Sequence, residues 1–167
     1  MSRSSDLPRG LLRGVAPLLA IGVLCGASIV HADSPEALAS LKYRQKLMSA
    51  VGANMGAMGD IMKNRLDLPG HVESHAAQMA ESAKLVAAAF REPVTEGPTD
   101  AKPEIWEDWA GFEKAIADFE KAARGLQSAA ASGDGQAVGP AMKALGDSCG
   151  DCHEPFRKPK EESYKNR

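Results

Sequence analysis

Cys149-Gly150-Asp151-Cys152-His153 is the stretch of this sequence richest in chemistry. Two thiols three positions apart, followed at once by an imidazole, form the C-x-x-C-H pattern of covalent haem attachment. On a helix the thiols stand one turn apart, so each can add to one of two neighbouring vinyl groups. His153 then turns its ring toward the iron from the same side. Gly150 removes a side chain where the macrocycle must come close to the backbone. Competing readings of the pair are weaker. A thioredoxin-like redox pair needs a βαβ context, which the sequence lacks. A structural zinc site needs four ligands, and no second cysteine pair stands nearby. An inert disulfide would leave His153 without a role.

The remaining cysteine, Cys25, falls in a different kind of segment. Arg3, Arg9 and Arg13 form a basic start, and an apolar run from Val15 to Val30 follows, interrupted by Pro17, Gly22 and Gly26. It ends in Val30-His31-Ala32, a pattern suited to signal peptidase. The run is shorter than the roughly 20 residues that a membrane span needs. Residues 1–32 are therefore expected to be a cleaved signal peptide and 33–167 one mature domain, with an uncleaved anchor as the rival reading. Leu24 before Cys25 does not suit a lipid-attachment site. Export places the protein in the periplasm, where a close pair of cysteines is either a disulfide or a cofactor anchor. The formal net charge of −2 with mixed signs argues against nucleic acid, and against a membrane partner once the leader is gone.

The cysteines must be positioned by helices, because the mature chain has no useful alternating pattern and is rich in Ala, Met, Leu, Lys and Glu. Leu68-Pro69-Gly70, the stretch from Glu92 to Pro103, and Ser132-Gly133-Asp134-Gly135 divide it into four helical segments. Ser34 reads as the first N-cap, with Pro35 and Glu36 after it. Leu41, Met48, Met55 and Met62 recur every seven residues on the first helix, with Val51 and Met58 beside them. The second carries Val72, Met79 and Val86, flanked by Ala76, Ala83 and Phe90. The third carries Ile105, Phe112, Phe119 and Leu126, with Trp109 and Ile116. The fourth carries Val138, Leu145 and Cys152, with Met142, Cys149 and Phe156. Heptad spacing favours shallow crossing angles, and the connections make neighbours antiparallel. The expected architecture is an all-α, up-down-up-down four-helix bundle. Both cysteines lie on the apolar stripe of the last helix, so the attached group belongs inside the bundle.

With that motif near the C-terminus of a four-helix bundle, the sequence resembles the cytochrome c′ family, the class II c-type cytochromes. Tyr43-Arg44-Gln45, Pro103-Glu104-Ile105-Trp106 and Cys149 to Arg157 carry the resemblance. It implies one covalent haem c, with Arg44 and Gln45 bordering it and Arg44 facing a propionate. Arg44 stands one turn before Met48 on the same face, and a guanidinium there could pair with a carboxylate. The resemblance also places Asp100 and Glu104 near the haem edge, and Arg157 one turn beyond His153, where its charge can tune the imidazole. Pro155 departs from the family pattern. Its missing N–H and its ring should disturb the bond to the carbonyl of Asp151.

Met48 decides the functional reading. Family members either block the face opposite the histidine with a side chain, leaving iron open to nitric oxide or carbon monoxide, or close it with a methionine ligand. A thioether suits a His/Met low-spin electron carrier. Methionines at helical spacing also simply fill core, as Met55, Met58 and Met62 are expected to do. The segment around Met48 looks more like the carrier branch, so His153 and Met48 are expected as axial ligands of a periplasmic electron-transfer protein. The gas-binding reading is the alternative. Peroxidase-like catalysis lacks a distal acid–base pair, and the protein is expected not to be an enzyme. Periplasmic redox proteins are the expected partners, and a homodimer is left open. His71 and His75 have metal-compatible spacing but no third ligand. Trp106 and Trp109 read as core or haem wall.

Overall fold

The structure is a computed structural model that describes residues 34–166, so the expected signal segment lies outside the described residues. Helix α1 spans Pro35–Asn64. Ser34 caps it as the sequence leads one to expect, its hydroxyl accepting from Ala37 N at 3.1 Å. Helix α2 spans His71–Ala89 and starts at Gly70, whose φ of 78° suits glycine alone among common residues.

The third segment departs from the single helix read from its stripe. A one-turn helix α3, Glu104–Glu107, is separated from α4, Trp109–Ala131, by Asp108. Asp108 ends one and caps the other, its carboxylate accepting from Gly111 N at 3.0 Å. A Cβ on Gly111 would stand 2.1 Å from that carboxylate, so this cap needs glycine. Capping and heptad pattern compete here, and the break lets Ile105 and Trp106 approach at a different angle from Phe112.

Helix α5 spans Gly135–Phe156, with Asp134 as its cap. Pro155 lies inside its last turn and does not end it. The helix runs one residue further, and Arg157 N still bonds to His153 O at 3.0 Å. Pro155 removes the N–H that would have bonded to the carbonyl of Asp151, and the last turn is closed through Arg157 instead.

Helix α2 packs against α1 and α4, and α4 packs against α5, giving the antiparallel four-helix bundle. α1 and α5 are not among the closely packed pairs. They meet through side chains, such as Met55 against Gly146. Two large buried clusters fill the bundle, with a small third one of Ala37, Leu41 and Val94. One contains Met58, Met79, Phe119, Leu126 and Leu145 with four alanines, and Cys149 packs on it. The other contains Leu47, Val86, Phe90, Ile105, Phe112 and Phe156, and Met48, Trp106, Trp109 and Cys152 pack on it. The stripe on α1 does not run straight: Met58 is fully buried, whereas Met62, expected in the core, is 37% exposed. An undistorted helix drifts off a seven-residue repeat, which carries Met62 to the surface.

Candidate functional site

The two cysteines mark the boundary between the two cores. Both are half-buried free thiols on α5, Cys149 against one cluster and Cys152 against the other. Burial pushes the Cys152 thiol up to about 11, with the neighbouring Cys149 adding to it. Burial also raises Cys149, opposed by a hydrogen bond to Ser148. Both are therefore protonated at neutral pH. His153 follows near the end of the helix and is exposed. Partial desolvation of the ring, and then the charge of Arg157, hold its imidazole below the ordinary range. A neutral imidazole has a lone pair to give to a metal. A Cβ at Gly150 would meet nothing within 4 Å, so no protein packing demands glycine there.

Met48 faces the cluster that holds Cys152, Phe156 and Trp106, and is half-buried there. One turn earlier on α1, Arg44 is only 2% exposed. Its Nη2 donates to the carbonyl of Val94 at 2.5 Å and to Thr99 Oγ1 at 3.0 Å. Its guanidinium lies 5.2 Å from the Phe90 ring centre and 5.5 Å from that of Trp106. Burial lowers its pKa to about 10. Nη1 is buried without a partner. A buried guanidinium with one nitrogen unsatisfied is costly, and a carboxylate placed against it would relieve that cost. Trp106 is fixed in turn, its Nε1 donating to Phe90 O at 2.7 Å. Gln45 points outward and donates to Pro98 O at 2.6 Å.

The other residues named from the resemblance fall into a second group. Asp100 is largely buried and turned toward the C-terminal segment. Its carboxylate accepts from Ser163 Oγ and from Tyr164 N, each at 2.9 Å, and pairs with Arg157 at 3.5 Å. Arg157 is thus held one turn beyond His153, where the sequence puts it. Glu104 is exposed at the start of α3 and makes no hydrogen bond or ion pair with the Arg44 group. His71 and His75 do not form a metal site: His75 Nδ1 meets Asn54 Oδ1 at 2.7 Å, and no metal-holding cluster occurs among the described residues.

Sequence reasoning missed the loop that links both groups. Thr99 is 3% exposed and Val94 is 2% exposed. Thr99 Oγ1 takes hydrogen bonds from Arg44 and from Ala101 N, and Asp100 follows it directly. The loop looked like punctuation because its roles rest on backbone carbonyls and one hydroxyl, which leave no periodic signal.

Asp100 carries a pH prediction. Burial alone would raise its pKa, but the N–H of Tyr164, the Ser163 hydroxyl and the charge of Arg157 outweigh it and hold the carboxyl below its usual value. A group with a depressed folded pKa stabilises the fold above its unfolded pKa and loses that contribution as pH falls through the folded value. Asp100→Asn is therefore expected to lower stability at pH 6 and to flatten its decline below about pH 4. Chemical denaturation across that range checks it; a parallel decline in both proteins would contradict it.

The residues suit a covalent haem: two free thiols one turn apart, an imidazole beside them, an unsatisfied buried cation opposite, and loosely joined α1 and α5 flanking the place. A four-helix bundle with this arrangement near its C-terminus defines a c-type cytochrome of the bundle class. A family model described as Cytochrome C' matches residues 39–157. The chain is 34% identical over 139 residues to a cytochrome c' of Rhodospirillum rubrum, covering 83% of this chain and 93% of that one. The solved cytochrome c prime from Shewanella frigidimarina superposes with a TM-score of 0.69 at 27% identity, covering 76% of this chain and 100% of that chain. A nitric oxide complex of an L16A mutant of cytochrome c prime from Alcaligenes xylosoxidans gives a TM-score of 0.65 at 31% identity, over 74% and 96% of the two chains. The chain belongs to the cytochrome c′ family, and its cofactor is one covalent c-type haem, for which Cys149 and Cys152 are present. The comparisons lend no support to the low-spin His/Met branch expected from the sequence.

Proposed function

We propose that this is a gas-binding cytochrome c′, in which His153 is the protein's ligand to the iron and Met48 covers the opposite face without ligating. The observation that carries this is the placement of Met48 on the same buried cluster as Cys152, one turn from Arg44, in a chain whose relatives include several named cytochrome c′. One such relative is known as a nitric oxide complex. These relatives favour the gas-binding reading over the electron carrier expected from the sequence. Bound there, haem supplies an iron that takes up nitric oxide or carbon monoxide reversibly and exchanges single electrons.

The chain's own residues do the rest. Cys149 and Cys152 would hold the group on α5, each S–H adding across a vinyl double bond so that sulfur takes one carbon and the hydrogen the other. His153, neutral at pH 7, donates its lone pair. Arg44, already committed through Nη2, has Nη1 buried and free, and that nitrogen would hold a carboxylate of the group. Phe90 and Phe156, with Trp106 and Met48 packed on their cluster, would exclude water from the site, and Met48 would restrict the approach of a diatomic ligand. Gln45, Asp100, Glu104 and Arg157 act further out, Arg157 by its charge near His153. The protein works in the periplasm and is not an enzyme. Its leader carries that location, and no described helix is long and apolar enough to cross a membrane. Redox partners there would keep the iron reduced.

Titration of the dithionite-reduced holoprotein with carbon monoxide tests the reading. A saturable shift of the Soret band with one gas molecule per haem is expected. Spectra indifferent to saturating gas would sink it and restore Met48 as a ligand.

A further inference from the structure

The C-terminal segment after Arg157 lies beyond the stretch matched by the family model, yet it is firmly tied to the bundle. Lys158 N bonds to Asp100 O at 2.7 Å, Ala101 and Arg157 form an antiparallel bridge, and Ser163 and Tyr164 close on the Asp100 carboxylate. Two short 3-10 turns, Lys160–Glu162 and Tyr164–Asn166, bring the segment back over the end of α5. Between segment and helix lies a cavity of about 610 Å³, within the size range of small-ligand sites.

Its lining is strongly one-sided in charge. Lys102, Arg157, Lys158, Lys160 and Lys165 face it, against a single carboxylate, Glu154. Among the ion pairs between described residues, the only one that involves a lining residue joins Arg157 to Asp100. Lys102 and Lys158 donate to the carbonyls of Glu154 and Thr99, which orient these ammonium groups without neutralising them. The whole chain carries a net charge of −2, so this convergence is local. Like charges gathered around a concave space repel one another, and a multiply charged anion between them removes that repulsion. The Ser163 hydroxyl adds a polar group to the wall. Of the residues assigned to the haem, the cavity touches His153 and Arg157; Arg44, Met48, Cys149 and Cys152 are absent from its lining.

We propose that this cavity is a binding site for a free, multiply charged oxyanion such as phosphate. Asp100 builds its wall by clamping Ser163 and Tyr164, and the lysines of the C-terminal segment supply the attraction. The inference does not depend on whether Met48 ligates iron.

Equilibrium dialysis of inorganic phosphate against the purified holoprotein, with ionic strength held constant by sodium chloride, tests it. One saturable site per chain is expected. Lys160→Gln with Lys165→Gln, both exposed positions whose exchange leaves the bundle intact, should weaken binding about tenfold. Asp100→Ala separates a built site from diffuse attraction. It removes a negative charge, so diffuse attraction would strengthen phosphate binding; a site whose wall it releases loses affinity. Absence of saturable binding, an unchanged affinity in the lysine double variant, or tighter binding in Asp100→Ala would each overturn the proposal. Where Asp100→Ala does not fold, the lysine variant decides alone.

Discussion

The double variant Cys149→Ser, Cys152→Ser, expressed with export and haem-attachment machinery present, is expected to retain no covalent haem. A serine hydroxyl does not add to a vinyl group under the conditions in which a thiol does, so both links to α5 are lost. Acid–acetone extraction should leave haem with the parent protein and carry it into the organic phase from the variant. The single variants should each keep one thioether. Loss of the cofactor also removes what bridges the two cores between α1 and α5. The variant should therefore unfold at lower denaturant than the holoprotein. Covalent haem surviving in the double variant would place the attachment elsewhere.

Replacing Met48 by alanine is expected to raise the carbon monoxide affinity of the reduced protein about tenfold, corresponding to ~1.4 kcal/mol. Met48 is half-buried on the cluster that Trp106 and Cys152 also pack against, so it would obstruct a gas molecule on its way to the iron. Alanine removes that cost in advance. The same change should lower folding stability by about 1–3 kcal/mol, less than for a fully buried methionine, because part of the side chain already meets solvent. Stopped-flow association would show the gain chiefly in the on-rate. An unchanged affinity and on-rate would mean that Met48 does not cover the iron.

Much of this fold is legible in the sequence, and the reasons differ by element. The cap at Ser34, the breaks at Gly70 and Gly133, and the burial of Leu41, Met79, Phe119, Leu126 and Leu145 follow from local chemistry and heptad spacing. The split at Asp108 is hidden because the apolar stripe passes straight over it; only the Asp108–Gly111 spacing hints at a cap. Met62 departs because a helix of 30 residues cannot hold a strict seven-residue repeat on one face. Pro155 looks disruptive in sequence and is tolerated because the helix is nearly over.

The candidate site is legible to a similar degree. Cys149, Cys152 and His153 announce themselves by spacing. Arg44 and Met48 share a face by helical periodicity, and the structure brings them to the same cluster of aromatic residues. What spacing could not reveal is that Arg44 is buried and half-satisfied by the 94–99 loop, since its partners lie some fifty residues away and are a carbonyl and a hydroxyl. Nor could it reveal that Asp100 turns to Ser163 and Tyr164, in a segment that carries no sequence motif.

The spin state of the iron in the resting holoprotein tests the central claim most directly. Absorption and electron paramagnetic resonance spectra of the ferric protein at neutral pH should show high-spin iron with His153 as its only protein ligand. A low-spin spectrum with the near-infrared band of methionine-to-iron charge transfer would contradict the account, and would make Met48 a ligand and the protein an electron carrier.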